Sequence, residues 1–164
     1  MKRKGQMFSA DFIVAILVLL FLITSFQVYQ SNVIKEIQHE QRAIYRNSLV
    51  SRTDTMVLYP GQWKGTEAEV LGFAVQREDQ ASPNRINETK VEGFLTMDES
   101  KCKELLGLRG RNFYFFIKDR QGSIISDYEK GDTNWHDADN VYRVKRNVFL
   151  QPSGESAVLE LIVW

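Results

Sequence analysis

Few side chains in this sequence are spaced for chemistry, and each has a plain alternative. His136 stands in DTNWHDADN, together with Asp132, Asn134, Asp137 and Asp139. Oxygen-rich loops of this kind hold Ca²⁺ when a glycine makes the sharp central turn, and here Asp137 occupies the glycine's place. The segment therefore reads as a solvated loop between strands, with no metal assigned. His39, beside Glu40, reads as the solvated face of a helix. The sequence has no G-x-S-x-G, P-loop, G-x-G-x-x-G or H-E-x-x-H. No catalytic residue and no cofactor follows, and the chain reads as a non-enzyme. Cys102 is alone, which excludes an internal disulfide and fits a small buried hydrophobe. Asn87-Glu88-Thr89 is an N-x-T triplet in a polar stretch, so Asn87 is a candidate glycosylation acceptor on an extracytoplasmic domain.

The remaining candidate is Asp11, at the mouth of an apolar run. Phe12 to Phe26 carries no charge and is rich in Ile, Leu, Val and Phe. With its flanks, a segment centred on 12–28 reaches the ~20 residues a helix needs to cross hydrocarbon. Lys2, Arg3 and Lys4 precede it with no acid among them, which places the N-terminus in the cytoplasm and the remainder outside. A cleaved secretory signal would share that basic start, but no A-x-A site follows and the helical pattern continues, so the run is expected to stay in the membrane. An aspartate at a helix centre costs roughly 2.5–3.5 kcal/mol on insertion scales, and less near an interface. Lying wet beside Lys4 at the cytoplasmic boundary is the plain account of it. Lys+Arg and Asp+Glu both number 21, so no net charge pulls the whole chain toward nucleic acid or anionic lipid.

The elements that must position these residues follow from periodicity. No Pro or Gly interrupts the chain from the apolar run to Pro60, and Val33, Ile37, Ile44, Leu49 and Met56 recur between charged residues. That is an amphipathic helix with a narrow apolar face. Joined to the membrane segment it predicts one long helix over 6–58, ended by Tyr59-Pro60-Gly61. Residues 59–164 read as a small α+β head. A strand is expected over 70–75, a polar loop over 77–89, and helices over 89–95 and 100–106, the second capped by Asp98 and stopped by Gly107. Strands are expected over 113–118, 123–126, 141–150 and 157–164, the first and last pairs joined as hairpins in an antiparallel sheet. The apolar end LELIVW and the aromatic FYFF should be buried, with the helix a natural partner.

The start of the chain resembles an archaeal class III, prepilin-type signal peptide. Lys4-Gly5-Gln6 is similar to that family's cleavage site, with basic residues, then Gly, and a cut ahead of a retained apolar helix. The family usually carries a glutamate at mature position five. Cutting between Gly5 and Gln6 leaves an aspartate, Asp11, at position six; cutting between Gln6 and Met7 restores position five but loses the glycine. The first bond is favoured and both remain open. TDTMVLYPGQW, KVEGFL, NFYFFIKD and LELIVW resemble, more loosely, the extracellular domains of archaeal pilin-like proteins.

The resemblance implies a leader over 1–5, an assembly helix and a type IV pilin-like subunit of a surface filament of the adhesion pilus type. Its partners would be other pilin subunits, a prepilin peptidase, and an assembly ATPase with its membrane platform; nucleic acid is not expected. Asp11, Phe12, Ile16, Leu19, Leu20 and Phe26 would serve assembly. Five residues turn a helix by about 500°, so Asp11 is poorly placed for its own new N-terminus and better placed for a neighbour's. The alternative is a signal-anchored, single-pass extracytoplasmic binding or sensing domain that never polymerises.

Overall fold

The computed structural model describes residues 4–78, 80–108 and 110–164, with side chains from Ala10 onward except at Ser126. The fold is α+β: a long N-terminal helix whose end packs against a mostly antiparallel sheet. In chain order the elements are α1 (Lys4–Leu58), β1 (Gln62–Lys64), β2 (Glu67–Val70), β3 (Ala74–Arg77), β4 (Gln80–Asn87), α2 (Glu88–Thr96), α3 (Glu99–Leu105), β5 (Phe113–Lys118), β6 (Ile124–Gly131), a 3-10 turn (Asn134–Asp137), β7 (Tyr142–Gln151) and β8 (Ser156–Val163). The chain divides into two compact units, Met1–Tyr45 and Arg46–Trp164, so the boundary falls inside α1.

The second unit is the head. Leu49, Thr53, Met56 and Val57 are the residues that α1 buries in it, at the four- and three-residue steps that keep one face inward. The buried Thr53 hydroxyl donates to Leu49 O at 2.9 Å, so it carries no unmet polar group into the core. Arg146 of β7 bonds Asp54 at Oδ1, and Arg52 donates to Leu106 O beyond α3. The narrow stripe expected along the whole amphipathic half is thus buried only at Leu49 and Met56; Ile37 and Ile44 are exposed.

The helix stops where Pro60 removes a donor and disfavours helix at Tyr59. Here Gly61, at φ +66°, lies against Gly72, where an added Cβ would come within 2.5 Å of Gly61 N and Tyr59 O. This close approach breaks the strand expected over 70–75. Residues 71–73 are irregular, β2 ends at Val70 and β3 begins at Ala74. The small β1–β2 hairpin, turned at Gly65, was not foreseen from the sequence.

The main sheet has the order β3-β4-β7-β8-β5-β6. All neighbours are antiparallel except β4 and β7, because α2, α3, β5 and β6 intervene in the chain between them. The polar loop expected over 77–89 is instead mostly strand. Ile86 is its one fully buried residue, Pro83 sits inside it and Asn84 has φ +58°, so neither alternation nor propensity marked it. Its pairing carries a bulge opposite Ala74/Val75. Ser123–Ser126 likewise lengthens into the eight-residue β6.

The other boundaries follow their local signals. Asp98 caps α3 through Ser100 N at 3.0 Å, and Gly107 at φ +61° closes it. Gly107 N and Leu108 N bond Glu104 O and Lys103 O, the paired bonds of a left-handed helix stop. α2 has no such glycine; Lys130 of β6 donates to Leu95 O and Met97 O instead, a cation on open carbonyls. One face of the sheet packs on the helices through Phe73, Phe94, Phe113 and Phe115, all fully buried. Phe94 meets Phe115 and Phe73 edge-on, at 5.1 and 5.6 Å between centroids. FYFF and LELIVW are buried as expected, with β8 central in the sheet.

Candidate functional site

In the first unit the described residues form one stretch of helix, and its described side chains are exposed except at the half-buried Val33 and Tyr45. Phe12 is 65% exposed, and Ile16, Leu19, Leu20 and Phe26 are exposed with it. At 100° per residue these five fall on one stripe, yet Ile13, Val14, Leu17, Val18, Phe21 and Leu22, around the rest of the circumference, are exposed too. An 18-residue window reaches a mean hydropathy of 2.5 with none of it buried, so the helix is long and apolar enough to cross a membrane. A helix apolar all round is stable only where lipid or protein surrounds it. Thr24, a polar residue within the run, donates to Leu20 O at 2.7 Å, so its hydroxyl needs no water.

Asp11 is exposed on the helix beside that stripe. Lys4, Gly5 and Gln6 are helical in backbone, with side chains outside the described residues, and Lys2 and Arg3 lie outside them altogether. Asn87 sits at the end of β4, where its Oδ1 accepts from Thr89 N at 2.9 Å and caps α2. The triplet is therefore a strand–helix junction rather than a loop. His136 stacks on Trp135 at 3.7 Å within the 3-10 turn, and His39 is exposed on α1. Among the described residues no group of three His, Cys, Asp or Glu side chains is placed to hold a metal ion.

The head carries two charged features that single-strand reading missed. On the sheet face opposite the helices, Glu160 of β8 is 2% exposed in a strand otherwise apolar from Ala157 to Val163. It faces Lys145 across β7 and Phe116 across β5. Arg143 donates to its Oε2 from Nε at 2.6 Å, with Lys145 at 3.4 Å and Lys118 at 3.9 Å from Oε1. Tyr114, Phe116 and Ile162 form a buried cluster beside it, covered by Trp135 and Trp164. The Tyr114 hydroxyl, pushed up to about 12 by burial and then by its bond to Glu129, stays protonated and donates to that carboxylate.

On the helix side, α2, β6 and the β7–β8 turn enclose a groove of about 430 Å³. Its lining includes Glu88, Glu92, Asp127 and Glu155 around Tyr128, and no Lys or Arg. Burial, and then Glu88 and Glu92, push the Tyr128 hydroxyl up to about 12. The available signal was one acid interrupting an apolar strand, Glu160. The grouping itself exists only once β7, β8 and β5 pair.

No model of a known protein family matches this chain, no curated protein matches it in sequence, and no solved structure matches its fold.

Proposed function

We propose that the chain is a type IV pilin-like structural subunit, anchored through α1 in the membrane before assembly and packed by the same helix in an extracellular filament afterward. One observation carries this reading. A single helix is apolar and exposed around its whole circumference in its first part, while its last turns are built into the core of the head. An ordinary anchor needs only ~20 residues. α1 has 55.

In this reading the leader ends at Gly5, Lys2 to Lys4 orient the helix, and Phe12, Ile16, Leu19, Leu20 and Phe26 meet neighbouring helices. Asp11 pairs with the α-amino group that cleavage creates on a neighbour. Such a pair offsets its desolvation only when both partners are present, so cleavage and assembly become coupled. The peptidase, the assembly ATPase and the membrane platform are the partners that go with it. A glycan at Asn87 would attach through Nδ2, leaving the Oδ1 that caps α2 in place.

The test is the mass of the N-terminus in membrane and sheared-surface fractions. Loss of Met1 to Gly5 in both supports the reading, and loss of Met1 to Gln6 moves the bond by one. An intact start, with no protein in the sheared fraction, overturns it in favour of a non-polymerising anchored binding domain.

A further inference from the structure

The sheet face opposite the helices has an excess of positive charge. Arg85 of β4 stands beside Phe149, and Lys118, Arg143 and Lys145 gather over Glu160. On the strands of this face two carboxylates accompany them: Glu160 beneath three of the cations, and Glu129, bonded by Tyr114, while the aspartates of the 3-10 turn lie at the Trp135 end, away from Arg85 and Phe149 along the sheet order. Four cations against two acids leave the strands with an excess of two positive charges. Phe149 among them is 49% exposed, an apolar side chain where nothing in the head covers it. The groove on the opposite side of the sheet is its counterpart in sign, with four carboxylates and no cation in its lining.

We propose that the basic sheet face of one copy docks on the acidic groove of a second copy, head to tail. This deepens the reading of the chain as a polymerising subunit and rests on it. The symmetry follows from the charges. Face on face would set cation against cation, and groove on groove acid against acid, so a two-fold dimer is disfavoured through either patch. A face that meets a different surface on its neighbour makes a heterologous contact, which closes into a ring or continues as a helical polymer. The chain as a whole is neutral, with 21 charges of each sign, so the attraction comes from placement and not from net charge. Such a contact gains much of its specificity and association rate from charge and weakens as salt shortens the screening length. Glu160 has a defined part in it, because its buried carboxylate gathers Arg143, Lys145 and Lys118 into one patch.

The test uses full-length chain in membranes carrying two reporters, Asn147→Cys on the face and Ser153→Cys at the groove; the natural Cys102 is buried. A thiol-reactive bifunctional linker should give a ladder of oligomers from the doubly labelled chain and fade as salt is raised. Arg85→Glu with Lys145→Gln, and separately Glu92→Lys with Glu155→Lys and Asp127→Asn, should each lower the ladder about tenfold. An equal mixture of those two variants should restore it, because every contact then joins opposite charges again. Dimers alone from Asn147→Cys, a salt-insensitive ladder, or no rescue on mixing would each overturn the proposal. So would retention of the face by a polyanion, DNA or an acidic polysaccharide, with no ladder formed. Sheared filaments without a ladder would remove this contact and leave the pilin-like reading; a rescued ladder with an uncleaved N-terminus would do the reverse.

Discussion

Replacing Glu160 with glutamine tests the charged face at its centre. The carboxylate is 2% exposed and lies within 4 Å of Arg143, Lys145 and Lys118. Removing one partner of a buried ion pair costs roughly 3–5 kcal/mol, chiefly because the other charge is left stranded. The cations here are 26–55% exposed at the side chain, so they can turn to water and much of that penalty is relieved. Glutamine also keeps an oxygen for Arg143. A loss of about 2 kcal/mol is therefore expected. For a head of roughly 120 residues this lowers the melting temperature by about 8 °C. All three tryptophans, Trp63, Trp135 and Trp164, lie in the head, so their fluorescence reports its unfolding in the full chain. Adding Lys145→Gln to Glu160→Gln should recover part of the loss, since one stranded cation is gone. Molar salt, with a screening length of about 3 Å, should narrow the gap from wild type. A Glu160→Gln melt within a degree of wild type, or no recovery in the double variant, would refute the carboxylate as the node.

The other predictions concern single positions. Asp11→Ala should insert in membranes as wild type does yet be absent from sheared filaments; normal incorporation would remove Asp11 from assembly. Gly72→Ala should destabilise the head by 3 kcal/mol or more, at the scale of about 3 kcal/mol expected for severe core strain, because its Cβ meets backbone atoms of Gly61 and Tyr59 that cannot swing aside. A thermal melt reads this directly. Burial pushes the Cys102 thiol up to about 11, leaving about one thiolate in a thousand at pH 8. Thiol reagents should spare it until denaturant is added. The same burial favours the protonated thiol in the folded state, so its contribution is complete below the ordinary thiol range and is lost as pH rises toward 11. Cys102→Ala should flatten the alkaline side of the stability profile.

The fold was legible where a local device sets the structure. Asp98 and Gly107 bound α3 because a cap and a left-handed stop act within one turn. The β5–β6 and β7–β8 hairpins were legible from turn residues between apolar runs. β4 was not, because its pairing with β3 and β7 supplies what its composition lacks. The break at 71–73 depends on Gly61, which is remote in sequence.

The sequence by itself determined the apolar helix, Asp11 at its mouth, the end of that helix at Pro60, and the aromatic and aliphatic strands that must be buried. These depend on hydrophobic transfer and backbone chemistry, which each segment carries with it. The tertiary structure decided where along α1 the head's core begins, the one parallel pair in the sheet, and the two charged surfaces. A salt bridge among β5, β7 and β8 depends on register between distant strands. Register is settled by the packed sheet as a whole, so it was absent from any one stretch of the chain.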